Sequence, residues 1–241
     1  MADELLLTVS LLIAAFAPPL IYMYIVRNTE TCRREPWSAL IVAFIYGGTV
    51  AVLISIVLEG AVDLFISDLA VASLIMTLII APIVEECAKS TGVPRRRILE
   101  LEDGFIYGAA VGLGFAATEN MLYLISALTN SVEEFILTAI VRAITSTLLH
   151  ASATAITGFG IALALFSRRQ GRAQSWIPYL ALAIVLHSLF NVFASLQELV
   201  PVDKTAAALI GLGLAFVLAV GTFLAIRRRI KELDTRTPCV R

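Results

Sequence analysis

Five ionisable side chains lie in stretches of this chain that are otherwise apolar enough to cross a bilayer. The only two histidines in the 241 residues are His150, in TLLHASATAITGFG, and His187, in LALAIVLHSLFNVFA. Glu85 and Glu86 end the apolar run LIIAPIVEECAK, and Glu119 lies within GLGFAATENMLYL. An ionisable group at bilayer depth costs a few kcal/mol or more, and it marks chemistry or transport by default. These residue types offer three kinds of chemistry. A carboxylate beside a second acid can take a proton from water near neutral pH. An imidazole and an amide on one helical face can donate hydrogen bonds to a developing oxyanion. Two imidazoles with carboxylates are also acceptable zinc ligands.

Helical spacing decides which of these groups can meet. Residues four, seven and eleven apart share a face. Gly104, Gly108 and Gly112 form a stripe that Phe115 and Glu119 continue. Small residues let helices approach closely in lipid, so Glu119 should face protein. Ser146, Thr147, His150, Thr154 and Thr157 form a polar stripe around one histidine, and His187 and Asn191 share a face around the other. Glu85 and Lys89 are spaced for an internal ion pair. Pro82 releases a backbone carbonyl one turn earlier and can bend that helix. Arg142 is expected to turn outward and reach the membrane surface.

Composition says where these stripes sit. The chain is 59% hydrophobic and 15% charged, with mean hydropathy +0.89. Soluble domains are about 45–50% apolar and about 25% charged, so a soluble enzyme or a nucleic-acid binder is excluded. Runs of roughly 20 apolar residues predict seven transmembrane helices, at about 5–26, 37–58, 68–89, 104–128, 136–166, 176–197 and 206–226. The expected fold is all-α: one multi-pass domain of the cell membrane over residues 1–241. Its polar pocket is expected between the third, fourth, fifth and sixth spans and to open toward the cytoplasmic half.

Arginines follow every second span: Arg27, Arg33 and Arg34, then Arg95, Arg96 and Arg97, then Arg168, Arg169 and Arg172, then Arg227, Arg228 and Arg229. The opposite ends carry Glu59, Asp63 and Asp68, then Glu133 and Glu134, then Glu198 and Asp203. Basic segments stay cytoplasmic, which predicts an outside N-terminus and a cytoplasmic C-terminus.

The polar stripes also resemble a known family. Glu85-Glu86-Cys-Ala-Lys89 is similar to the EExxK signature of PrsW-type intramembrane proteases, which are related to the CAAX prenyl endopeptidases and bacteriocin-processing proteins. Phe115-Ala-Ala-Thr-Glu119-Asn120 resembles the second motif, FxxxEN. His150 with Thr154 and Gly158 resembles the third, and His187-Ser-Leu-Phe-Asn191 the fourth, HxxxN. Arg34-Glu35-Pro36-Trp37 resembles that family's approach to its second helix. The CAAX branch has EExxxR and a histidine in the second motif, where this chain has Lys89 and Glu119. The resemblance implies hydrolysis of a peptide bond in a membrane-associated protein. The substrate it implies is a transmembrane regulator of the anti-sigma-factor kind, with no nucleic acid as partner.

The chain has no G-x-S-x-G elbow and no H-E-x-x-H pair, which leaves water as the nucleophile. In the leading reading Glu85 is the base, and Glu86 and Lys89 hold its charge and orientation. Glu119 and His150 position the water or relay the proton, with Asn120 in support, and His187 and Asn191 form the oxyanion hole. No cofactor is required. The alternative is a zinc-dependent hydrolase with Glu85, Glu119, His150 and His187 as ligands. A reading from a different class makes the same residues the relay of a proton- or ion-coupled transporter. A retinal-type receptor is excluded, because no lysine lies in 206–226.

Overall fold

Long apolar runs in a bilayer have no water to satisfy their N–H and C=O groups, so they close those bonds internally as helices. The structure, a computed structural model, describes residues 2–66 and 71–235, and all long elements among them are helical with no strand. The helices are α1 (Ala2–Arg27), α2 (Trp37–Ile66), α3 (72–91), α4 (Leu101–Asn130), α5 (Val132–Ile144), α6 (Ser146–Arg169), α7 (Ile177–Ala194) and α8 (Lys204–Asp234). Six segments among the described residues are long and apolar enough to cross a membrane, with α5 and α6 forming one of them. The expected third span is helical too, but it is outside that set; it carries Glu85, Glu86 and Lys89. Asp68 and the expected start of that span lie outside the described residues.

α4 runs through the centre of the bundle and is buried along most of its length. Its glycine stripe does what the spacing predicts. A Cβ at Gly104, Gly108 or Gly112 would collide with the α6 backbone at Gly158, Thr154 or His150. On another face of α4, a Cβ at Gly114 would strike the Phe44 carbonyl of α2, and one at Gly47 would strike Val111. These close approaches fix the polar faces of α4 and α6 against each other. Large apolar side chains such as Leu53, Val57, Leu209 and Val217 point away from the protein, as a lipid solvent requires.

Three local irregularities shape the site. Gly47–Ala51 in α2 and Met76–Ile80 in α3 are π-helical turns, a feature found often at functional sites. The second lies directly before Pro82, whose missing N–H removes one α-helical bond. The expected fifth span is not one straight helix: it breaks at Thr145, which has φ −123° and ψ −80°. The Thr145 hydroxyl bonds back to the Val141 carbonyl at 2.7 Å, a local competitor of the helical ladder.

The arginine-rich segments meet at one end of the bundle. Arg33 Nη2 lies 3.4 Å from Asp103, Arg227 donates to Thr29 Oγ1 at 3.1 Å, and Arg169 donates to the Ile98 carbonyl at 3.5 Å. Asp234, at the end of α8, accepts from the Thr31 and Cys32 backbone N–H groups at 2.9 and 3.1 Å. The alternation read from the sequence therefore gathers its positive charge on a single side.

Candidate active site

α3 supplies the pair of glutamates, and the pair divides. Glu86 is fully buried and is held on three sides: by Lys89 Nζ at 2.6 Å, by His187 Nδ1 at 3.0 Å and by the Thr154 hydroxyl at 3.2 Å. Glu85 lines a cavity of about 580 Å³ together with Glu119, His150, His187 and Asn191. Its contacts with Lys89 (3.3 Å), His150 Nδ1 (3.9 Å) and His187 Nε2 (3.9 Å) all run through Oε2.

The two imidazoles are held alike. His187 meets Glu86 through Nδ1, and His150 meets Glu119 through Nε2 at 2.7 Å. A carboxylate only accepts, so each of these nitrogens carries the proton, and the other nitrogen presents a lone pair. Those second nitrogens, His187 Nε2 and His150 Nδ1, are the ones near Glu85. The rings are edge to face with centroids 4.9 Å apart. Lys89 is fully buried, lies 4.3 Å above the Phe115 ring, and contacts His150 Nδ1 at 3.0 Å as well as both glutamates.

All of the expected site residues come together here, including the supporting pair. Asn120 donates to Thr147 Oγ1 at 3.0 Å and accepts from Arg142 Nε at 2.8 Å. Asn191 lines the cavity and donates one amide hydrogen to the Thr77 carbonyl of the α3 π-turn at 2.8 Å. Two expectations need correction. Arg142 does not turn outward: it pairs with Glu119 at 2.7 Å and covers the Tyr123 ring at 4.0 Å. A lone arginine near the expected start of a span gives no direction in sequence; in the structure it lies in the last turn of α5, just before the break at Thr145. Glu59, at an acid-bearing end as expected, is also part of the cavity wall. The cavity also does not open toward the arginine-rich end. Its walls include Glu59, Met76, Leu122 and Ala194, which lie in the halves of their helices farthest from those arginines, and Glu198 in the turn after α7.

A family model for PrsW family intramembrane metalloproteases matches residues 35–226. The chain belongs to this family. Protease PrsW of Clostridioides difficile (strain 630) is 29% identical over 188 residues, covering 75% of this chain and 77% of that protein. Protease PrsW of Bacillus subtilis (strain 168) is 39% identical over 98 residues, 41% of this chain and 40% of that protein. No solved structure matches. The chain is thus a multi-pass membrane protein and a membrane-embedded endopeptidase that acts on membrane proteins within the bilayer.

The PrsW family's metalloprotease description can be tested on the donor set. Glu85, His150 and His187, all buried, each bring a ligand atom within 4.8 Å of the other two. One carboxylate and two neutral imidazoles are a catalytic-zinc donor set, and each histidine has its outer nitrogen on a carboxylate, the usual supporting arrangement. The residues fit. Glu119, expected among the ligands, instead spends its contacts on His150 and Arg142. Lys89 now holds two of the three donors, so a metal ion would displace its contacts to Glu85 and His150 while leaving that to Glu86.

Proposed function

We propose that this intramembrane peptidase cleaves its substrate at a centre formed by Glu85, His150 and His187, with Glu86 and Glu119 as positioning residues. The observation that carries the reading is the convergence of those three donors within 4.8 Å on the wall of a cavity. A divalent ion of the zinc type, held by these three residues, would acidify a bound water and polarise the peptide carbonyl.

The chain's own groups supply the rest. Glu85 uses Oε2 for its contacts within the protein, which leaves Oε1 to accept the proton of the attacking water. Glu86 and Glu119 fix the tautomers of His187 and His150. A histidine held this way presents a lone pair and cannot donate to an oxyanion, which moves that role away from His187. Asn191 keeps its second amide hydrogen for the cavity, and one such donor is worth roughly 3–4 kcal/mol in the transition state. Arg142 pairs with Glu119 and holds the carboxylate in place against His150.

The cavity lies in the half of the bundle away from the arginines. With basic ends cytoplasmic, that is the outer half of the membrane. The substrate class is then a membrane-spanning protein whose outer segment can unwind into the cavity, and an anti-sigma-factor-like regulator meets that description. Quantitative mapping of new protein N-termini, in membranes with wild type or with Glu85→Gln, tests the reading. New termini near the outer ends of membrane helices, present only with wild type, support it. Identical termini in both samples sink it.

A further inference from the structure

A second acidic cluster lies at the arginine-rich end, between the α1–α2 loop and the start of α4. Glu30 is completely buried, and neither of its carboxylate oxygens has a hydrogen-bond partner among the described residues. Glu100 and Asp103 approach it from the α4 N-terminus, where they form a capping box. Asp103 Oδ2 accepts from the Leu99 and Glu100 backbone N–H groups at 2.7 and 2.9 Å, and lies 3.4 Å from Arg33. Arg33 also lies 3.8 Å from Glu100 Oε1. The remaining oxygens, Asp103 Oδ1 and Glu100 Oε2, are buried without a hydrogen bond, like both oxygens of Glu30.

Capping explains Glu100 and Asp103. It does not explain Glu30, a carboxylate with no donor in a protein interior, which is rare unless the charge is paired or bound to metal. Arg33 adds its charge from beyond hydrogen-bond distance, with Asp103 and Glu100 as its closer partners, and no arginine donates to the Glu30 carboxylate. Arg34 donates to the Glu30 backbone carbonyl at 3.1 Å and Arg27 to the Glu35 backbone carbonyl at 2.6 Å, so both are spent on peptide groups. Glu35 lies close as well, hydrogen-bonded by Tyr107.

The geometry points to a second metal site here: Glu30, Glu100 and Asp103 bind one hard divalent cation, such as calcium, magnesium or manganese(II). The three carboxylates bring one oxygen each to within 4.8 Å of the others. All-oxygen donors select hard cations over zinc, which separates this site chemically from the histidine-containing centre in the cavity. A cation there ties the α1–α2 loop to the start of α4, the helix that carries Glu119.

The test uses the full chain in lipid nanodiscs with His150→Ala and His187→Ala, which removes two of the three cavity donors. Manganese(II) titration, followed by loss of the free-ion paramagnetic signal, should show one saturable ion per chain that calcium displaces and zinc does not. Glu30→Gln and Glu100→Gln in the same background should each weaken binding by roughly tenfold or more. Glu100→Gln keeps an oxygen for the cap, so it decides the matter if Glu30→Gln does not fold. The absence of saturable manganese binding, or unchanged affinity in the folded variants, overturns the site. Cleavage and zinc content report the cavity alone, so failure here leaves the catalytic reading standing, and the reverse also holds.

Discussion

Glu86 and Glu30 are both completely buried carboxylates, and the chain treats them in opposite ways. Glu86 has a lysine, a histidine and a threonine from three helices around it. Glu30 has neighbours of its own sign and no donor. The difference separates two uses of a buried acid. In the cavity cluster the counter-charges are built in, so the geometry is fixed before a substrate arrives, and Glu85 alone of the glutamate pair lines the cavity. At the arginine-rich end Arg33 pairs with Asp103 and Glu100 but no donor reaches Glu30, and the cluster is completed by the cation it binds.

Removing the built-in charge should do the most damage. Lys89→Met leaves Glu86 buried with no cationic partner, and stability should fall by about 3–5 kcal/mol. Thermal unfolding in nanodiscs would show this as a large drop in melting temperature, and a melting curve like that of wild type would mean that Lys89 is not the counter-ion. Next comes Asn191→Ala. Loss of an oxyanion donor should lower kcat by roughly a hundred- to a thousandfold with KM little changed, measured on a cleaved transmembrane peptide. A smaller effect is expected at Arg142. Arg142→Gln frees Glu119 and loosens His150, and should reduce turnover by roughly ten- to a hundredfold, with partial recovery in Arg142→Lys. A purely structural Arg142 would change the melting temperature without this rescue of turnover. The smallest effect runs the other way. With chelator present, Glu30→Gln removes the cost of burying an acid among carboxylates and should stabilise the protein by about 1 kcal/mol or more, with cleavage unchanged. Destabilisation would mean that Glu30 has a partner within the protein.

Sequence showed the paired cluster far more clearly than the unpaired one. Glu85, Glu119, His150 and His187 stand out because the bilayer makes each of them expensive, and helical spacing then assigns their faces. The glycine stripe of α4 also reads directly, because only small side chains permit that approach to α6. Arg142 and Glu59 do not read this way. Each lies near a helix end, where charge is ordinary, and the break at Thr145 that follows Arg142 has no proline or glycine to announce it. The direction of the cavity is not legible because Glu85 and Glu86 lie near the cytoplasmic end of their span in sequence, while the walls farthest from the arginines come from α2, the start of α3, α4, α7 and the turn after α7. Glu30 was invisible for a simpler reason: an acid in a polar loop among arginines looks solvated until the loop is folded against α4.

The central claim is that Glu85, His150 and His187 form one metal centre whose imidazoles are set by Glu86 and Glu119. The most direct test is the zinc content of the purified protein in nanodiscs, measured beside cleavage of a transmembrane peptide before and after chelation. The expected result is one zinc per chain in wild type, lost in His150→Ala and in His187→Ala, with cleavage abolished by chelator and restored by zinc. Full cleavage by metal-free wild-type protein would contradict it, and would return catalysis to Glu85 as a base acting on water alone.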